Sequence, residues 1–80
     1  MALIRMRNHS PITAKDLRRL LRLSEEADTG QPFDQIGVDS WDLVELRAVL
    51  ETRFDLIFPD EVWLEMTCPD DIVRLQEKLA

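Results

Sequence analysis

The sequence predicts an all-α fold: four helices in one bundle, with a long loop between helices I and II and a short helix III. Three observations carry that expectation. Apolar residues recur at helical spacing, most clearly Leu43, Leu46, Leu50 and Phe54, which share one stripe at ~100° per residue. Helix-start chemistry, a capping residue followed by acidic residues in the first turn, recurs before each apolar run. No segment alternates apolar and polar residues as a half-buried strand would, so no strand is expected.

Residues 1–10 lack periodicity and read as a flexible lead-in, with the folded domain over residues 11–80. Thr13 is a good N-cap, and Asp16 three residues later completes a capping box. From there to about Ala27 the spacing predicts helix I, with Leu17, Leu20, Leu21 and Ser24 on one face. Lys15, Arg18, Arg19 and Arg22 line the rest, as a solvated surface or as a contact for an acidic partner or loop. Asp28-Thr29-Gly30-Gln31-Pro32 breaks the chain. Phe33 and Ile36 then mark an ordered loop pinned to the core, and Gly37 permits a backbone turn that a side chain would hinder.

Helix II is expected from Ser40 to Phe54, capped by Asp39 or Ser40, with Asp42 favouring the positive end of the helix dipole. Opposite its core stripe lies a second apolar stripe, Trp41, Val44 and Ala48, bordered by Asp42 and Glu45. A helix packed on one side has no structural need for it, so it is a docking surface unless another element covers it. Asp55-Leu56-Ile57-Phe58 reads as a connector with buried apolar residues. Pro59 suits the first position of helix III, which ends near Met66 and carries Val62 and Trp63. Thr67-Cys68-Pro69-Asp70-Asp71 opens helix IV, which runs to about Leu79 with Ile72, Val73, Leu75 and Leu79 as apolar positions.

Composition narrows the function. Eighty residues, 45% hydrophobic and 32% charged, suit one small domain. The net charge of −6 disfavours nucleic acid as a partner. Residues 1–24 hold six basic side chains and one acidic, net +5, whereas residues 25–71 hold fourteen acidic and two basic, net −12. The acidic part should therefore attract basic partners. No apolar run approaches the roughly 20 residues of a membrane span, and the start of the chain lacks a secretory core, so a cytoplasmic location is expected. The lone cysteine, Cys68, forms no internal disulfide and reads as a small buried or capping residue. With one histidine, His9, no metal-ligand spacing and no base for a serine nucleophile exist, so neither a metal site nor catalysis is expected.

Ser40 stands out through its surroundings. It follows Gly37-Val38-Asp39, ends the long loop and heads a helix with an outer apolar strip. The landmarks continue as Val44-Glu45-Leu46, Phe54-Asp55 and Pro59-Asp60-Glu61. Gly37-Val38-Asp39-Ser40-Trp41 resembles the Gly-x-Asp-Ser-Leu motif of acyl and peptidyl carrier proteins, and the likeness extends from Phe33 to about Leu79. It implies a four-helix carrier fold. It implies that a phosphopantetheinyl transferase attaches 4′-phosphopantetheine from coenzyme A to Ser40, and that the arm's thiol holds acyl or aminoacyl cargo as a thioester. Helix II would then be the recognition helix. Asp39, Asp42 and Glu45 occupy the family's acidic contact positions, and Trp41 and Val44 its apolar ones, beside Ala48. The implied partners are the transferase, a cargo-loading ligase or acyltransferase, and a downstream transferase or synthase, each with a basic docking patch. No nucleic acid or membrane partner is implied, and a monomer is expected.

Several residues depart from the family pattern. Trp41 replaces the usual Leu or Met, Arg47 and Arg53 interrupt the acidic run of helix II, and Ala48 stands where fatty-acid carriers often have Met. Trp63 takes a position that is usually small there and that faces the space sheltering an acyl chain. It either fills that space, leaving a short or polar cargo outside, or simply packs in the core. The departures favour a carrier for small cargo in a specialised pathway, with a general fatty-acid carrier as the alternative. The start at Met1 suggests a free-standing chain rather than a piece of a synthase. From a different class, a helical interaction module using the Trp41 strip, with Ser40 only a cap, is the remaining rival.

Overall fold

The computed structural model describes Ile4, Arg5 and residues 11–79. The flexible lead-in expected over residues 1–10 lies outside the described residues except for Ile4 and Arg5. These two form β1 (Ile4–Arg5), followed by α1 (Ala14–Leu20), a 3₁₀ turn (Phe33–Ile36), α2 (Ser40–Arg53), β2 (Leu56–Ile57), α3 (Asp60–Trp63) and α4 (Pro69–Leu79). The four helices start close to where the sequence puts them. Their shared core is Ile12, Leu17, Phe33, Val38, Leu46, Leu50, Phe54, Leu56, Phe58 and Ile72.

Helix I is shorter than expected: it ends at Leu20 rather than near Ala27. Its start is as read, since Thr13 and Asp16 form the complete capping box. Its end is a Schellman motif. The Arg22 N–H donates to the Arg19 carbonyl at 3.1 Å and the Leu23 N–H to the Arg18 carbonyl at 2.8 Å. Arg22 takes the left-handed conformation (φ +58°) that glycine usually fills in this motif. With no Gly or Pro between residues 12 and 29, that stop was invisible in the sequence. Leu23 packs against the core after the turn, while Ser24 is exposed and shares no helix face with Leu17. Arg18 Nε donates to the Ala27 carbonyl at 2.9 Å and so ties down the departing chain.

The long loop is anchored, as Phe33 and Ile36 suggested. Phe33 is buried, and its N–H donates to the Thr67 carbonyl at 3.0 Å. Thr29, buried, donates its hydroxyl to Asp70 Oδ1 at 2.6 Å and accepts the Asp70 N–H on its carbonyl at 3.0 Å. The loop is therefore fastened to the start of α4 at two points. Gly37 has φ +79°, and a Cβ there would meet nothing, so the backbone angle and not space is what calls for glycine.

The expectation of no strand is corrected by one short ladder, Ile4 opposite Ile57 and Arg5 opposite Leu56, antiparallel. Two residues per strand are too few for alternation to show in a sequence. Helix III is likewise shorter than expected, a single turn ending at Trp63 rather than Met66, and Pro59 is its N-cap residue, not its first helical one. Pro59 has an extended ψ of 149°, a conformation that precedes a helix without belonging to it. Polar side chains complete the assembly. The Gln76 amide, buried, accepts the Ile12 N–H at 2.7 Å and donates back to the Ile12 carbonyl, joining the start of α1 to α4.

Asp71 gathers the start of α4, accepting from the Thr67 N–H at 2.8 Å, the Thr67 hydroxyl at 2.7 Å and Arg74 at 2.6 Å. Partial burial works to raise its pKa, but these hydrogen bonds, with one from the Cys68 N–H, outweigh it and hold the carboxyl well below the usual range. A carboxylate depressed in the folded state stabilises fully above its ordinary value of 3.8 and loses that contribution as pH falls toward the folded value. Thermal unfolding of the protein and of Asp71→Asn should therefore differ most at neutral pH, with the gap narrowing below 3.8. A second expectation concerns the left-handed residue: Arg22→Gly should stabilise the fold by up to about 1 kcal/mol in denaturant titration, because it relieves the Cβ clash.

Candidate functional site

Asp39 is the N-cap of α2. Its Oδ1 accepts the Asp42 N–H at 2.8 Å, and Asp42 Oδ2 accepts the Asp39 N–H at 3.1 Å, a reciprocal capping box. Of the two caps the sequence left open, the structure uses Asp39. The consequence for Ser40 is direct. It becomes the first helical residue, exposed, and among the described residues no hydrogen bond engages its hydroxyl. The oxygen stands at the positive end of a helix dipole, at the rim of the domain and open to an incoming group.

The remaining residues singled out in the sequence surround it. Trp41 is 66% exposed and Val44 58%, and Ala48 and Glu45 are also exposed. Asp42 is half-buried. Nothing among the described residues covers the Trp41–Val44–Ala48 stripe, which therefore faces outward with Glu45 and the Asp39–Asp42 pair at its edges. On the other side of α2, Leu46, Leu50 and Phe54 are buried and Leu43 packs against them in part, the core stripe as read.

A groove of about 440 Å³ runs beside Ser40, between α2 and the α3 turn. Its walls include Leu43, Val44, Ala48, Trp63 and Leu64. Trp63 is half-buried, its ring 5.1 Å from that of Phe58 at an interplanar angle of 59°. It therefore both packs on a core residue and lines the groove. Leu64, 81% exposed, was missed by sequence reasoning. It follows the last residue of α3, where no periodic stripe could mark it.

Arg47 needs correction too. It reads in the sequence as an interruption of the acidic recognition face. In the structure its guanidinium turns toward α3, donating to the Phe58 carbonyl and to Asp60 Oδ1 at 2.7 Å. The outer face of α2 around Asp42 and Glu45 is therefore more acidic than the linear sequence implied. The basic residues of α1 come close at one point: Arg22 shares a groove of about 410 Å³ with Asp42, Glu45 and Val49.

With this geometry in place, comparison with known proteins gives a consistent picture. The family model described as "Phosphopantetheine attachment site" matches residues 14–75. The chain belongs to that family, that of the acyl and peptidyl carrier proteins, whose prosthetic group is covalently bound 4′-phosphopantetheine. Over 46 residues the chain is 44% identical to an acyl carrier protein homolog of Mycoplasmopsis pulmonis, covering 58% of this chain and 63% of that protein. Over 46 residues it is 39% identical to an acyl carrier protein of Bdellovibrio bacteriovorus, covering 58% of this chain and 59% of that protein. The chain thus spans about three-fifths of the length of these relatives. In structure it is similar to a butyryl-ACP from the actinorhodin polyketide synthase of Streptomyces coelicolor, with TM-score 0.67, 30% identity, and coverage of 88% of this chain and 92% of that one.

The residues present fit the prosthetic group. An attachment oxygen must be exposed and free of internal hydrogen bonds, and Ser40 meets both conditions among the described residues. Among the described residues no cluster of His, Cys, Asp or Glu could hold a metal ion, and no helix is long and apolar enough to cross a membrane.

The division of labour between Asp39 and Ser40 is testable. Asp39→Ala should cost about 1 kcal/mol in equilibrium unfolding, the usual penalty for removing a cap. Ser40→Ala should stay within about 0.5 kcal/mol, as for a surface position that makes no contact.

Proposed function

We propose that this chain is a carrier in which Ser40 bears the phosphopantetheine arm and helix α2 is the surface partner enzymes read. The observation that carries the reading is the free, exposed Ser40 hydroxyl at the first position of α2, in a chain matched by the phosphopantetheine attachment model. A phosphopantetheinyl transferase would join the Ser40 oxygen to the phosphoryl group of coenzyme A, with loss of the hydroxyl proton and departure of adenosine 3′,5′-diphosphate. The arm's terminal thiol supplies thioester chemistry. The chain's own residues do the rest: Asp39 and Asp42 hold the helix start that presents Ser40, and Trp41, Val44 and Glu45 give partners an apolar and acidic foothold. The protein acts as a substrate and address for other enzymes rather than as a catalyst.

Brief encounters suit such a surface, because exposed acids speed arrival without a large buried interface. The fitting partners are the transferase, a cargo-loading ligase or acyltransferase and a downstream transferase or synthase, all with basic docking patches. The groove beside Ser40 favours small cargo in a specialised pathway over the long chains of a general fatty-acid carrier. Trp63 occupies one wall and Ala48 leaves the other low, so apolar cargo finds a shallow shelf.

Incubation with coenzyme A and a broad-specificity transferase should raise the intact mass by one phosphopantetheine unit, and Ser40→Ala should abolish the gain. A Ser40→Ala protein that still accepts the arm would sink the assignment, and a wild-type protein that never accepts it would point to an interaction module instead. Glu45→Lys should slow arm transfer, with the largest deficit at low ionic strength, where screening is weakest. A deficit independent of salt would remove steering as its cause.

A further inference from the structure

Arg47 and Glu51 stand one turn apart on α2 and together grip the connector that leads into α3. Arg47 Nη2 donates to the Phe58 carbonyl and, at 2.7 Å, to Asp60 Oδ1. Glu51 Oε2 accepts the Phe58 N–H at 2.8 Å and lies 3.6 Å from Arg47 Nε. Both polar backbone groups of Phe58 are thus held by side chains of α2, and the first residue of α3 is held by an ion pair. The ring of Phe58 is buried and touches Trp63.

The position of this clamp matters because α3 is a single turn, Asp60–Trp63. So short a helix has no stability of its own, and its place depends on what holds it. The groove beside Ser40 lies between α2 and this turn, with Arg47 and Glu51 among its lining residues. Withdrawal of α3 from α2 would deepen the groove, and it would break the contacts of Arg47 with Phe58 and Asp60.

We propose that Arg47 is the positioning residue that fixes the depth of this groove, and through it restricts the carrier to short acyl cargo. The proposal rests on the carrier reading of Ser40. With the clamp closed, a short acyl group covers the apolar surface of Leu43, Val44, Ala48, Trp63 and Leu64, and a longer chain meets the charged Arg47 and Glu51 instead of further apolar wall. Cargo length is selected because the shelf ends.

The test compares wild type, Arg47→Met, which keeps an apolar stem without the guanidinium, and Asp60→Asn, which removes only the ion pair. Each is loaded by a broad-specificity transferase with butyryl- and with octanoyl-coenzyme A, and intact mass verifies uptake on Ser40. Hydroxylamine cleavage of the thioester is then timed for both chain lengths. Wild type should release butyryl more slowly than octanoyl, because only the short group is sheltered. Arg47→Met should release octanoyl several-fold more slowly than butyryl, with faster deuterium exchange at amides 60–64, and Asp60→Asn should fall between. General loosening of the fold would move both chain lengths together, so the ratio isolates the positioning role. The proposal is overturned if wild type already protects octanoyl as well as butyryl, or if Arg47→Met leaves the ratio as it is in wild type. Failure of every form to take up any arm would instead overturn the carrier reading, and mass alone distinguishes the two failures.

Discussion

The start and the periodicity of α2 are the constraints on which the other features depend, and the Asp39–Asp42 capping box sets the start. With Asp39 as cap, Ser40 is the first helical residue, and every later side chain follows at ~100° intervals. Leu46, Leu50 and Phe54 then face the core, Trp41, Val44 and Ala48 face outward, and Arg47 and Glu51 face the connector to α3. A helix begun one residue later would rotate none of these faces but would leave Ser40 as the cap, its hydroxyl engaged by the backbone. The acidic pair thus has a structural role of its own. It occupies the backbone donors that would otherwise claim the serine.

Small domains bury a modest core, and this one adds a recurring device. A side chain from a helix satisfies the backbone of an irregular segment: Gln76 holds Ile12 by both its polar groups, Arg47 and Glu51 hold Phe58 in the same way, and Asp71 holds Thr67 and Cys68. Irregular backbone that approaches the core needs such partners, since an unpaired buried peptide group costs as much as a lost hydrogen bond. The long loop is ordered for the same reason, through Thr29 and Asp70 and through Phe33 and Thr67.

Charge is separated as well as unbalanced. The basic residues of α1 and the acidic residues of α2 approach each other around Arg22, Asp42 and Glu45. Arg18 and Arg47, which count as free cations in the sequence, are spent internally on the Ala27 carbonyl and on Phe58 and Asp60. The turn of Arg47 away from the outer face of α2 sharpens the acidic character of that face, the property a basic partner would sense over distance.

The sequence by itself determined the helical class, the two starts whose capping residues lie three apart, the core stripe of α2 and the position of Ser40 at a helix mouth. These follow from local rules: periodicity and capping act within a few residues and are written in adjacent side chains. The choice of Asp39 over Ser40 as cap, the early stop of α1 at a left-handed arginine, the single-turn length of α3 and the two-residue ladder were decided by tertiary structure. So were the inward turn of Arg47 and the exposure of Leu64 beside the groove. Each depends on partners distant in the chain or on a backbone angle that competing contacts select, as when Gln76 meets Ile12 across 64 positions. A linear pattern carries no term for such contacts, so the place of Ser40 at a helix start was legible before the fold, whereas the shape of the space beside it was not.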